Sequence, residues 1–235
     1  MRVLGLIPAR GGSRGIPRKN VRLMGGKPLL QHTAEAALGA RGLTRVVLST
    51  EDEEIAALGR QCGVEVPFRR PLELAQDDTP TLPVVVHAVS WLEGVGDCFD
   101  AVCVLQPTHP LRRPEDIDAC VDLLTRTDAD AVVTVLRVPP QYNPHWVYFV
   151  DEGGNLRLAL GAREPLPRRQ DLPLAFHREG SVYVTRRDVV MKQHTLYGER
   201  LVGYELDAGQ SVNIDVREDW ERAERLLGER VANAL

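Results

Sequence analysis

A glycine-rich loop near the amino end, IPARGGSRGIPRKN (7–20), follows a short apolar run, VLGLI. From Arg10 to Lys27 there are six Lys or Arg and no Asp or Glu. Gly11, Gly12 and Gly15 allow a tight turn that brings backbone N–H groups close to a ligand. Arg10, Arg14 and Lys19 can point into such a turn. Arginine offers a planar fork to phosphate oxygens and lysine a point charge, so a triphosphate would meet the demand. A solvated basic turn or a nonspecific RNA contact would use the same residues. The loop is not a Walker A motif, because no Gly-Lys-Ser/Thr closes it, and it is not the G-x-G-x-x-G dinucleotide fingerprint.

Other residues stand at positions where chemistry is expected. Asp215 follows the apolar run SVNI, either as a cation ligand or as a helix N-terminal acid beside Glu218 and Asp219. Gln106 ends an apolar run, either as a site residue or as an amide that satisfies backbone groups. Arg70 could face a base or pair with Glu73. Arg168, Arg169 and Arg178 could recognise a carboxylate or form an exposed charged loop. The six histidines show no metal pattern.

These residues need elements to position them. The chain of 235 residues suits one α/β domain, or one domain with a modest appendage. Apolar residues make up 43% and the net charge is −4, so any anion site must be local. Cys62, Cys98, Cys103 and Cys120 form no CxxC pair and are expected as buried free thiols of a reducing compartment. The first apolar run is broken by Pro8 and Arg10, too early for a signal-peptide core, and no stretch approaches the ~20 residues of a membrane span. A cytoplasmic protein is the expectation.

Strand and helix patterns alternate. Strands are predicted over 3–7, 45–50, 64–68, 101–106 and 131–138, and helices over 27–40, 51–63, 81–95 and 114–127. This order implies a mostly parallel sheet with helices on both faces, and ligand sites beyond the carboxyl ends of its strands. The rhythm breaks after Pro139. PPQYNPHW is rich in proline and aromatics, and VYFVDEGGNLRL reads as a hairpin around Gly153 and Gly154. Residues 139–172 are therefore read as an insertion into a core formed by 1–138 and 173–235. Trp146, Tyr148 and Phe149 are expected exposed on it, as a contact in a homodimer. The core resumes with strands over 181–185, 201–206 and 211–215 and a final amphipathic helix from Glu218.

The first loop resembles the opening motif of the acylneuraminate cytidylyltransferases, I-P-A-R-x-x-S-K-G-x-P-x-K-N. Four further segments are similar to the same family in the same order. RPLELA (70–75) resembles R-P-x-E-L-A, and LQPTHPLR (105–112) resembles L-Q-P-T-S-P-L-R. RRQDLPLAFHREGSVYV (168–184) is similar to R-Q-x-L-P…G-x-x-Y, and SVNIDVRED (211–219) to S-I-D-I-D-T-x-x-D. The resemblance implies a three-layer Rossmann-like nucleotidyltransferase fold. It implies transfer of a cytidylyl group from CTP to a 2-keto sugar acid, with release of pyrophosphate and with Mg2+ or Mn2+ as cofactor.

It also implies roles. Arg10, Gly11, Gly12, Ser13, Arg14 and Lys19 would hold the triphosphate, with Lys19 near the reacting phosphate, and Arg10, Lys19 and Asp215 would be the catalytic residues. Arg70 would lie against the base. Asn20 and Gln106 would touch the sugar, and Arg169 and Arg178 its carboxylate. Asp215, with Asn213 in place of the family's second aspartate, would hold the metal. Arg14, His109 and Glu179 also depart from the family pattern, where Lys, Ser and Asn stand. Readings with the same fold replace the sialic acid by legionaminic, pseudaminic or 3-deoxy-manno-octulosonic acid, or CTP by GTP. A non-catalytic nucleotide-binding protein is the reading from another class. A nucleic-acid module is disfavoured, because no aromatics cluster beside the basic loop.

Overall fold

The computed structural model describes residues 1–13 and 15–232. Arg14, one of the expected phosphate ligands, lies outside the described residues. Ten strands and six α-helices run in the order β1 (Val3–Pro8), β2 (Leu23–Met24), β3 (Lys27–Pro28), α1 (Leu29–Gly39), β4 (Arg45–Ser49), α2 (Glu53–Gln61) and α3 (Thr81–Gly94) among the described residues. Then follow β5 (Ala101–Val104), α4 (Pro114–Arg126), β6 (Ala131–Arg137), β7 (Tyr148–Val150), β8 (Leu156–Leu158), β9 (Phe176–Arg186), α5 (Arg187–Lys192), β10 (Leu201–Glu205) and α6 (Arg217–Ala232). The main sheet has the order β10-β6-β9-β5-β1-β4. All its neighbours pair in parallel except β9, which runs antiparallel between β5 and β6.

Strand period two divides the core into layers. Val3 and Ile7 of β1, with Ala101 and Cys103 of β5, pack against α1, α2 and α4. Leu4 and Leu6, with Val102 and Val104, pack against α3 and α5. Both faces of the sheet are covered, as parallel strands require. Helix α3 forms despite its valines because Val84, Val85, Ala88, Val89 and Leu92 follow the 3.6-residue period onto one buried stripe. Asp52 caps α2 by accepting from the Ile55 N–H at 3.0 Å, and Pro114 opens α4. A third apolar cluster places Trp220 and Ala223 of α6 against Ile16, Leu111, Val212 and Ile214. The carboxyl-terminal helix thus backs the first loop.

Two expected strands do not form. Residues 64–68 make only a bridge between Val47 and Glu65, because Pro67 has no N–H to extend pairing along edge strand β4. Residues 211–215 alternate buried Val212 and Ile214 with exposed Asn213 and Asp215, yet join no sheet. Their backbone is taken elsewhere. The Ile214 N–H donates to the Thr108 carbonyl at 2.9 Å, and Lys19 Nζ donates to the Ile214 carbonyl at 2.7 Å. β9 also starts earlier than its apolar pattern, at Phe176 opposite Arg137. The hairpin β7–β8 forms its own two-stranded sheet. Within 139–172, Tyr148 and Phe149 are exposed, but Trp146 is half-buried and donates its indole N–H to the Leu166 carbonyl. That polar end is satisfied within its own segment. All four cysteines are free, with Cys103 and Cys120 buried as expected, whereas Cys98 is exposed and Cys62 half-buried.

Arg112 is the polar anchor of the core. It is buried, and its fork donates to the Ser181 carbonyl on β9 (2.7 Å), the Gln106 carbonyl after β5 (2.6 Å) and Thr33 Oγ1 on α1 (3.1 Å). These acceptors are neutral, and burial pushes the guanidinium down to about 10, still charged at neutral pH. Arg112→Met should leave three buried oxygens without donors and cost at least about 3 kcal/mol. Urea unfolding with an unchanged m-value checks this. Lys should restore little, because an ammonium cannot reproduce the fork.

Candidate active site

Beyond the carboxyl ends of β1, β4 and β5 the first loop closes over a cavity of about 200 Å³. Arg10, Gly12, Ser13, Lys19, Asn20, Arg70 and Gln106 line it. Gly15 is forced by contact, because a Cβ there would sit 2.1 Å from the Asp215 carbonyl. This approach and the Lys19–Ile214 hydrogen bond hold the loop against the segment that carries Asp215. Asn20 stiffens the turn by donating from Nδ2 to the Arg10 carbonyl at 2.9 Å.

The cations are balanced locally. Arg10 pairs with Asp77, Arg18 pairs with Asp52 and Glu54, and the Gly11 N–H donates to Glu51 Oε1 at 2.6 Å. Burial lowers the Lys19 pKa, and the attraction of Asp215 opposes it. Arg70 is buried rather than paired with Glu73. It donates to Ser49 Oγ at 3.1 Å and to the Ser49 carbonyl, and burial brings it down to about 10 while Glu51 opposes the fall. Arg70 therefore remains a cation in the cavity wall.

A second cavity, about 490 Å³, shares Gln106 and Thr81 with the first. Arg178, Gly180, Tyr183, Tyr197 and Asn213 line it. Arg178 donates to the Tyr197 hydroxyl at 2.6 Å. Gly180 has φ +88°, and a Cβ there would meet the Tyr183 hydroxyl at 2.7 Å, so only glycine fits this bend of β9. The structure thus brings Arg10, Gly12, Ser13, Lys19, Asn20, Arg70 and Gln106 together, with Arg178 and Asn213 in the adjoining space. Gly11 lies in the same turn, turned to Glu51. Arg169 lies elsewhere. It is exposed and lines a separate cavity of about 700 Å³ with Arg137, Asn143 and Leu174.

For a divalent cation the candidate donors are Asp215 and Asn213. Both are exposed on the same side of their extended segment, and Asn213 Nδ2 donates to Asp215 Oδ2 at 2.7 Å. One carboxylate and one amide oxygen are hard donors, a set that suits Mg2+ completed by phosphates and water. No group of three or more His, Cys, Asp or Glu converges among the described residues. Asp219 instead serves the helix, accepting from the Asp215 and Val216 N–H groups at 2.9 and 3.0 Å.

Residues that composition alone did not single out complete the site. Asp77 and Glu51 are counter-charges of the loop. His109 and Glu179, quoted only as departures from a motif, have adjacent and buried side chains. His109 Nε2 lies 3.1 Å from the Glu179 carbonyl and 3.7 Å from its Oε1. Glu179 Oε2 accepts from the Ser181 N–H at 2.8 Å, and Oε1 from the Ser211 hydroxyl at 2.6 Å. Burial depresses His109 from its ordinary 6.5 to about 4, although Glu179 pulls the other way. Burial raises the Glu179 carboxyl, but attraction to His109 and the two serine donors leave it below its ordinary range. The serine donors do not depend on the imidazole proton, so at neutral pH the pair is a carboxylate beside a neutral ring.

The sheet order, the glycine-bent cationic loop at its carboxyl edge and the paired cavities define a nucleotidyltransferase. The cytidylyltransferase family model matches residues 4–232. The chain is 32% identical over 228 residues to a CMP-N,N'-diacetyllegionaminic acid synthase of Legionella pneumophila, covering 97% of each. It is 33% identical to N-acylneuraminate cytidylyltransferase A of Danio rerio, over 94% of this chain and 49% of that one. Among solved structures, CMP:2-keto-3-deoxy-manno-octonic acid synthetase complexed with CTP shares the fold, with a TM-score of 0.74, 19% identity and coverage of 98% and 100% of the two chains. The chain belongs to the cytidylyltransferase family.

The His109–Glu179 pair sets an acid limit. Between pH 6.5 and 4 the unfolded chain binds a proton at His109 that the folded chain refuses, so stability falls as pH falls. Below that window protonation of Glu179 removes stability in the same direction. Urea midpoints measured from pH 8 to 4 should decline, and His109→Asn should flatten the decline between 6.5 and 4. His87, also depressed by burial, leaves a residual slope of the same sign.

Proposed function

We propose that the protein transfers the cytidylyl group of CTP to the anomeric hydroxyl of a 2-keto nonulosonic acid of the sialic, legionaminic and pseudaminic type. The observation that carries this is the meeting of two cavities at Gln106, one cationic and one holding Arg178. The first suits a polyphosphate, with Arg10 and Lys19 over the oxygens where charge develops and Arg70 in the wall toward the base. The second suits a polyhydroxylated acid whose carboxylate meets Arg178. In the reaction the sugar oxygen bonds to the α-phosphorus, the bond from that phosphorus to the β-phosphate oxygen breaks, and the hydroxyl proton leaves to solvent. Gln106 touches both spaces and aligns the two substrates, so the reacting atoms are held rather than recruited. Asp215, with the Asn213 amide oxygen, would hold Mg2+ or Mn2+, which neutralises charge on the triphosphate. The other family acceptor, 3-deoxy-manno-octulosonic acid, and GTP as donor remain arms of the test, as does a binding protein without turnover.

A matrix of the four nucleoside triphosphates against these sugar acids with Mg2+, scored by pyrophosphate, tests the reading. CTP with a nine-carbon acid should lead. Lys19→Ala should lower kcat/KM by roughly 10²–10³, the cost of one lost charge-stabilising donor. Binding of CTP without pyrophosphate from any acid would leave only the non-catalytic reading.

The hairpin supports a homodimer and, with 139–172, a role as an added element on the core. Phe149, Val150 and Leu156 are each about two-thirds exposed on one small sheet. Arg169, remote from Arg178, belongs to this same region, so its part in acceptor binding is proposed only as an assembly-dependent one. The cytoplasm, where CTP is present and thiols stay reduced, is the proposed location. Phe149→Asp should halve the mass found by light scattering after gel filtration. An unchanged mass would remove the hairpin from the interface.

A further inference from the structure

Thr108 lies between two departures from the family motif and the nucleotide cavity. It lines that cavity, two residues beyond Gln106. Its carbonyl receives the Ile214 N–H, which places it beside the segment carrying Asp215. Thr108 Oγ1 is 3.1 Å from His109 Nδ1, and the opposite ring nitrogen faces the Glu179 carbonyl.

That second contact decides the tautomer. A carbonyl can only accept, so His109 Nε2 must carry the hydrogen and donate it. The ring is buried and neutral, so Nδ1 is a bare acceptor. The only proton available between Nδ1 and Thr108 is the hydroxyl's own. Thr108 O–H therefore donates to His109, and what remains toward the cavity is lone pairs. Glu179 is fixed in turn by Ser181 and Ser211, which holds in place the residue whose carbonyl receives the ring's Nε2–H. A hydroxyl is ordinarily a donor and an acceptor at once. Here the donor half is consumed.

We propose that Thr108 is a substrate-binding residue which His109 converts into an obligate hydrogen-bond acceptor, and that it receives a hydroxyl of a bound substrate. His109 is the positioning residue. The hydroxyl comes from the ribose of the nucleotide or from the acceptor sugar, since Thr108 stands near the wall the two cavities share. The inference rests on the proposed transfer reaction for its substrates, but the hydrogen-bond direction rests on the geometry alone.

The test compares wild type with Thr108→Val, Thr108→Ser, His109→Asn and His109→Gln. Val keeps the shape and deletes the acceptor. Ser restores it. Asn places a carbonyl oxygen where Nδ1 was, whereas Gln reaches only the Nε2 position and leaves the Thr108 proton free to turn into the cavity. Thr108→Val should raise the KM of one substrate about tenfold, with Ser recovering most of the loss. His109→Gln should resemble Val, and His109→Asn should stay closer to wild type. With 2'-deoxy- and 3'-deoxy-CTP, an equal loss in wild type that vanishes in Thr108→Val assigns the partner to the ribose. A loss confined to the KM of the acid assigns it to the sugar. Both KM values within twofold of wild type in Thr108→Val, or His109→Gln indistinguishable from His109→Asn, would overturn the proposal. If Thr108→Val does not fold, the two His109 variants read the same contact. If wild type makes no pyrophosphate, the transfer reading falls separately. Calorimetric titrations of CTP and of the sugar acid into wild type and Thr108→Val then decide the contact: weaker binding of either in the variant supports it, and equal binding of both overturns it.

Discussion

The constraint behind this site is that a loop of clustered cations must be held in place against its own repulsion. Arg10 leans on Asp77, the Gly11 N–H on Glu51, and Lys19 on a backbone carbonyl. The Asp77 carboxylate is about half exposed, and exposed ion pairs are weak. A polyphosphate that brings several charges at once can displace such a partner at small cost. Arg18 differs. It is tied to two carboxylates at the start of α2 and its pKa rises, so it anchors the loop to the scaffold. One loop thus divides its cations between a doubly paired anchor and singly held neighbours.

Precision then depends on what lies beneath. Arg112 joins β9, the end of β5 and α1 through three neutral acceptors. Because β9 runs antiparallel into the middle of the sheet, it carries Arg178 and Glu179 to the edge where Gln106 follows β5. The guanidinium fixes the relative height of these two strands. A side chain with one donor could tether either strand but could not set their register. Helix α6, packed through Trp220 and Ile214, presses the Asp215 segment onto the loop from the other side.

Most of this architecture was legible in residue pattern, because burial on both sheet faces writes long apolar runs separated by capped helices. Residues 64–68 and 211–215 misled for one shared reason. Both alternate or run apolar as strands do, but a strand also needs a partner, and patterning carries no information about pairing. Pro67 limits the first to a bridge, and a lysine and a loop carbonyl claim the backbone of the second. Residue type pointed to the loop, Gln106 and Arg178, which the fold places around two adjoining cavities. It did not separate Arg169 from Arg178, because nine residues of loop and strand carry them to different cavities. Nor did it find Arg112 or Asp77, whose importance lies in long-range partners.

The departures from the family motif are better understood in space than in sequence. Read along the chain, His109 and Glu179 are two unrelated substitutions seventy positions apart. Folded, the two side chains lie together, with His109 Nε2 3.7 Å from Glu179 Oε1. A lone carboxylate at this depth would need donors, and a lone imidazole would need an acceptor for Nε2–H. Glu179 supplies that acceptor through its main chain while its side chain reaches Ser211, at the start of the segment bearing Asn213 and Asp215. The exchange therefore reaches both the wall of the first cavity, through Thr108, and the segment bearing Asn213 and Asp215, through Ser211. The amide at Asn213 fits the same logic. It donates to Asp215 where a second carboxylate would repel it, so the single negative charge stays oriented without a cation to hold it.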